Sequence, residues 1–149
     1  MKKRIFSSLV MLFANLAQAH DEGHGPKLAD AGKYGGIVSS VVKVAEASKG
    51  AKAELMHKAE LARSSDGTVR VYLYDKDMKP LDLKAFDAKG SASLLVKMKG
   101  KWKSLDFPLE LKDNAFVGKM PKPESKPYNI DVTLKSSDTK LLSAFDNLD

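Results

Sequence analysis

The chain has 149 residues, with 25 Lys+Arg against 19 Asp+Glu, a formal net charge of +6 and no cysteine. A length of this order fits one domain. The absence of cysteine excludes a disulfide framework, a thiolate metal site, a cysteine nucleophile and a lipid-attachment cysteine. The lysines are distributed along the chain and read as a solvated surface, not as a nucleic-acid footprint.

In chain order, Lys2, Lys3 and Arg4 form a short positive region. Ile5 to Leu16 is an apolar run, and Ala17-Gln18-Ala19 is a small-x-small cleavage site. That order is the signature of a secretory signal peptide over residues 1–19. The run is shorter than the roughly 20 residues a spanning helix needs, so no membrane insertion is expected after cleavage. Cutting after Ala19 takes 19 of the 149 residues and three of the basic ones, and makes His20 the new first residue. The expected location is the periplasm, or the medium if no outer membrane retains the protein.

Residues 20–34 are polar and glycine-rich without periodicity, which predicts a flexible histidine-containing leader. Gly35-Gly36 opens the β-branched run Ile37 to Val44, a first strand. Leu55 to Arg63 has helix-favouring composition but strand-like alternation, with Leu55, His57, Ala59 and Leu61 on one parity. Ser65-Asp66-Gly67 is a hairpin turn signal before Thr68 to Tyr74, the clearest strand. A hairpin needs strands on both sides of its turn, so 56–63 is read as strand.

Leu81 and Leu83 suggest a short edge strand. Ser91 to Lys99, Lys101 to Leu109, Ala115 to Met120, Tyr128 to Lys135 and Thr139 to Phe145 complete the set, with a proline-rich open loop at 121–127. The alternation breaks between Trp102 and Leu105, which predicts a bulge with Trp102 as the bulkiest core contact. About eight short strands with turn signals every 8–12 residues predict an all-β, antiparallel two-sheet sandwich of immunoglobulin-like size over 35–149. A small barrel is the alternative.

The candidate metal ligands are His20, His24 and His57. As a new N-terminus, His20 offers an α-amine and an imidazole together, and His24 follows four residues on between glycines. Asp21 and Glu22 add carboxylates. Imidazole and amine nitrogens suit Cu(II), Zn(II) and Ni(II). Such ligands must be neutral, so affinity should fall below the histidine range near 6.5. His57 has core parity, and a lone histidine there is more often a packed, hydrogen-bonded residue than a ligand. Glu60 has the opposite parity and could share an ion with His57 only across a bulge. No HExxH, nucleophile elbow or phosphate-cradling glycine loop is present, so no enzyme is expected and no catalytic residue is assigned. Asp75 and Asp77 read as turn chemistry.

The sequence His24-Gly25, Gly35-Gly36-Ile37-Val38, His57-Lys58-Ala59-Glu60-Leu61, Asp66 to Asp75 and Lys79-Pro80-Leu81 resembles a small periplasmic β-domain. That domain occurs alone and at the N-termini of periplasmic adaptor subunits of heavy-metal efflux pumps. The resemblance covers about residues 20–85. It implies an association with copper, zinc or related metals, with His24 and His57 as ligands, and a periplasmic efflux or envelope protein as partner. The chain departs from the pattern where Lys33 and Tyr34 precede the Gly-Gly pair in place of histidine, and in a longer stretch between Val44 and His57. Helical-hairpin and lipoyl-like segments are lacking, so the stand-alone form is expected. The functional expectation is an exported metal-binding or metal-handling protein. Its alternative is a non-metal interaction module of the cell envelope.

Overall fold

The computed structural model describes residues 24–149. The signal segment, its cleavage site and His20 lie outside them. Eight strands follow one another: β1 Ile37–Lys43, β2 His57–Arg63, β3 Thr68–Tyr74, β4 Lys89–Met98, β5 Lys101–Lys112, β6 Ala115–Lys119, β7 Tyr128–Ser136 and β8 Thr139–Leu148. A 3-10 segment, Val44–Lys52, joins β1 to β2.

The strands close into one antiparallel barrel in the order β1-β2-β3-β6-β5-β4-β7-β8. The expected two-sheet sandwich is corrected by this closure. Val41 of β1 pairs with His57 of β2 on one side and with Ser143 of β8 on the other, so the first and last strands seal the sheet. The unit β4-β5-β6 is inserted in reverse, with β6 against β3 and β4 against β7. Sandwich and barrel strands alternate in the same way, and only these distant pairings tell them apart. Closure also removes the sheet edges that a sandwich would leave.

An eight-stranded barrel has an interior just wide enough for side chains to fill. Here a contiguous cluster fills it, including Val41, Leu61, Val71, Leu94, Leu109, Phe116, Ile130 and Phe145. The reversed unit forces two long connections across the barrel ends. Residues 75–88 cross one end, where Leu83 and Phe86 turn into the core and Phe86 bridges to Ser136. No edge strand forms around Leu81 and Leu83; these residues plug a mouth instead. Residues 120–127 cross the other end.

The strand between Lys101 and Lys112 carries no bulge. It pairs with β4 in unbroken register from Met98↔Lys101 to Lys89↔Glu110. Leu105, Phe107 and Leu109 share the inward parity, so Trp102 falls on the outer wall and is half-buried, not in the core. Truncating the two aromatics should therefore differ sharply. In urea unfolding, Phe116→Ala should cost about 3–5 kcal/mol, and Trp102→Ala less than about 1 kcal/mol.

Candidate functional site

The outer wall of β1, β2 and β3 carries the most organised polar cluster. Strand alternation sends Ser40 and Val42, Lys58 and Glu60, and Tyr72 and Tyr74 outward, opposite to Val41, Ala59, Leu61 and Leu73. These outward residues are nonetheless covered: Glu60 is 0 % exposed and Tyr74 2 %. What covers them is the segment 24–36. The expected flexible leader is, from His24 onward, a strap without regular secondary structure laid against the barrel.

The strap is held by the Glu60 carboxylate. Its Oε1 accepts the backbone N–H of Tyr34 at 2.8 Å and of Gly36 at 2.9 Å. Its Oε2 accepts the N–H of Lys33 at 2.9 Å and the Tyr74 hydroxyl at 2.7 Å. A carboxylate offers about four acceptor positions, and all are taken. At Gly32 a Cβ would strike Glu60 Oε1, so only glycine lets the backbone pass there. Lys58, also outward, pairs with Asp30 of the strap at 2.8 Å. Tyr34 stacks on Tyr72 with ring centroids 4.0 Å apart and planes 14° apart. The Lys33 ammonium lies 5.4 Å over the Tyr74 ring.

Burial alone would push the Glu60 pKa up. The Tyr74 hydroxyl and the three N–H donors outweigh it and hold the carboxyl below its ordinary value. Burial, and then the Glu60 charge, push the Tyr74 hydroxyl well above its ordinary value, so it stays a donor. With its lone pairs spent, Glu60 anchors the strap and has none left for an ion.

The two described histidines, His24 and His57, are separated. His57 points inward at the mouth closed by residues 75–88, with its ring 6.1 Å from Phe86. Burial first, then the Lys76 charge, lower its pKa, so the imidazole is neutral at pH 7. His24 precedes Gly25, which seats on Ser40 and Val42 of the outer wall. The β2 registers are regular, so His57 and Glu60 lie on opposite faces, and the wall stands between His57 and the strap. Among the described residues no group of three or more His, Asp or Glu side chains could hold a metal ion. Asp75 accepts the N–H groups of Asp77 and Lys79 at 2.8 and 2.9 Å, the turn chemistry its position suggests.

Glu60 as an anchor was not legible, because its partners are mostly backbone donors. The signal that could have found it is an acid at an outward strand position between tyrosines, with Gly32, Gly35 and Gly36 upstream. No protein-family model, curated protein or solved structure matches this chain significantly.

Glu60→Gln should replace one carboxylate oxygen, which accepts two of the four hydrogen bonds, by a clashing NH2 and lower stability by about 2–4 kcal/mol. A carboxyl with a depressed native pKa stabilises the fold above its unfolded value and loses that contribution as pH falls through the native one. The wild-type chain should therefore lose stability on acidification through that window. In Glu60→Gln the acid limb, followed by chemical denaturation at successive pH values, should be flatter.

Proposed function

We propose that this is an exported periplasmic metal-handling protein, not an enzyme, whose ion site is the leader His20-Asp21-Glu22-Gly23-His24. The α-amine and imidazole of His20, the imidazole of His24 and the two carboxylates form a nitrogen-rich donor set for Cu(II) or Zn(II). The resemblance to the small domains of heavy-metal efflux systems supports the same class, with an efflux or envelope protein as partner.

The observation that carries the reading is the anchorage directly behind His24. Gly25 sits against Ser40 and Val42 with no space for a side chain, and the strap is pinned again at Asp30 and at Glu60. A fixed root lowers the chain entropy lost when a short segment closes round an ion. His57 is left out of the site, because it faces the interior on the other side of the wall.

Calorimetric titration of the chain beginning at His20 with Cu(II) and Zn(II) tests this. His24→Ala should weaken binding by at least about tenfold, equivalent to about 1.4 kcal/mol. His57→Ala should leave it unchanged. Binding no tighter than that of the denatured chain, or equal loss in both variants, would contradict the proposal.

One observation favours the second reading, an interaction module of the envelope. Tyr34 is 61 % exposed and held flat on Tyr72 by the pinned strap, a rigid aromatic platform on the barrel wall. If that reading holds, the partner is lost in Tyr34→Ala and kept in the presence of chelator.

A further inference from the structure

The lysines that look dispersed along the sequence are gathered by the fold. The β4–β5 hairpin turns at Lys99-Gly100, both with positive φ, the geometry of a tight hairpin turn. Its tip carries Lys97, Lys99, Lys101 and Lys103. The end of β6 adds Lys119, and the crossing connection beside it adds Lys122 and Lys126. The two are joined: Ser125 Oγ donates to the Lys97 carbonyl at 3.1 Å, and Lys103 pairs with Glu124 at 3.1 Å. Between this connection and the start of β1 lies an open cleft of about 910 Å³, with Arg63, Lys119, Lys122 and Lys126 on its walls beside Ile37 and Met120. Arg63 is already engaged by the Tyr128 hydroxyl and the Asp149 carbonyl, and Lys119 lies 3.9 Å from the Asp66 carboxylate on the same wall, so Lys122, Lys126 and the lysines of the tip supply the outward charge.

The opposite end is balanced. There Glu46, Glu54, Asp75, Asp77, Asp82 and Asp87 stand among a similar number of lysines. The basic end thus holds most of the positive excess of the described residues.

The same end exposes apolar groups. The pairing of β4 with β7 stops at Val96↔Tyr128, while β4 and β5 run on to Met98↔Lys101. Met98 keeps the inward parity of Leu94 and Val96 but lies past the core and is 36 % exposed. Across the tip, the Lys97 ammonium lies 5.9 Å over the ring of Trp102, the only tryptophan. Ile37, on the cleft lip, is 44 % exposed.

We propose that this end of the barrel docks on an anionic lipid surface, with the lysines of the β4–β5 tip and of the 120–127 connection against headgroup phosphates and Met98 and Trp102 at the acyl boundary. Lysines along one rim suit a plane of phosphates, each contributing about fivefold in affinity near an anionic leaflet. An indole and a thioether between lysine stems are the side chains that settle at a water–lipid boundary. A soluble polyanion would use the charge and have no use for Met98 and Ile37.

The test uses the chain without residues 1–19, whose apolar run would bind lipid itself; every described residue is retained. Sedimentation with vesicles of phosphatidylglycerol and phosphatidylcholine should carry the protein down, with a blue shift of Trp102 fluorescence, and phosphatidylcholine alone should not. Binding should vanish in about 1 M salt, where charges are screened beyond about 3 Å. The triple variant Lys97→Glu, Lys99→Glu, Lys101→Glu should bind at least about two orders of magnitude more weakly. Reversal of Lys76, Lys79 and Lys84 at the other end should leave binding intact. Equal binding to neutral vesicles, equal loss in both triple variants, or an unshifted Trp102 would overturn the proposal. So would binding to polyphosphate without binding to vesicles, which would make this end a soluble-polyanion site.

Discussion

The buried Glu60 carboxylate is the contact on which the arrangement of this molecule depends. A charged acid on the outer face of a barrel strand is ordinarily solvated. Here it is dry, and a desolvated carboxylate is tolerable only when its lone pairs are filled. Three backbone N–H groups from the strap and the Tyr74 hydroxyl fill them. The strap's own donors would otherwise need water or strand partners, so each side satisfies the other. From this follow the burial of Tyr74, the stacking of Tyr34 on Tyr72, and the path that leaves His24 on the outside of the wall.

That path decides how the histidines relate. A site drawing on the leader and on His57 together would require them on one face. The regular registers of β1, β2 and β3 put His57 inside, against Phe86, with its neutral form favoured by burial. His57 thereby links stability to pH: the unfolded chain takes up a proton near its ordinary value, the folded one only at lower pH, so stability falls as pH drops below about 6.5. The proposed metal site therefore draws on the leader and leaves His57 out. The basic end, with its exposed Met98 and half-buried Trp102, is a separate face of the barrel.

Much of the fold was legible where local chemistry dominates. Thr68 to Tyr74 alternates cleanly after an Asp-Gly turn, and its inward set Val69, Val71 and Leu73 is buried as the parity requires. The hairpin logic that assigned 56–63 to strand over its helical composition agrees with β2. What was not legible is long-range. Closure hangs on β1 meeting β8, a pairing about a hundred residues apart that no periodicity encodes. Trp102 was drawn inward by its size, and the unbroken register shows that parity, not bulk, sets the face. The strap resembled a disordered leader because its fastenings to Glu60 are backbone donors, which leave no side-chain signature, and its side-chain contacts with Lys58, Tyr72 and Tyr74 have no periodicity. The lysines of the β4–β5 tip appeared scattered because their neighbours at 119–126 come together with them only through the crossing of β6 to β7.

The most direct measurement of the central claim is amide hydrogen exchange, residue by residue, at the strap. If Glu60 holds it, the amides of Lys33, Tyr34 and Gly36 should be protected to a degree comparable with those of β2, although they belong to no strand. Exchange of these three at the rate of an unstructured peptide, with β2 protected, would contradict the account.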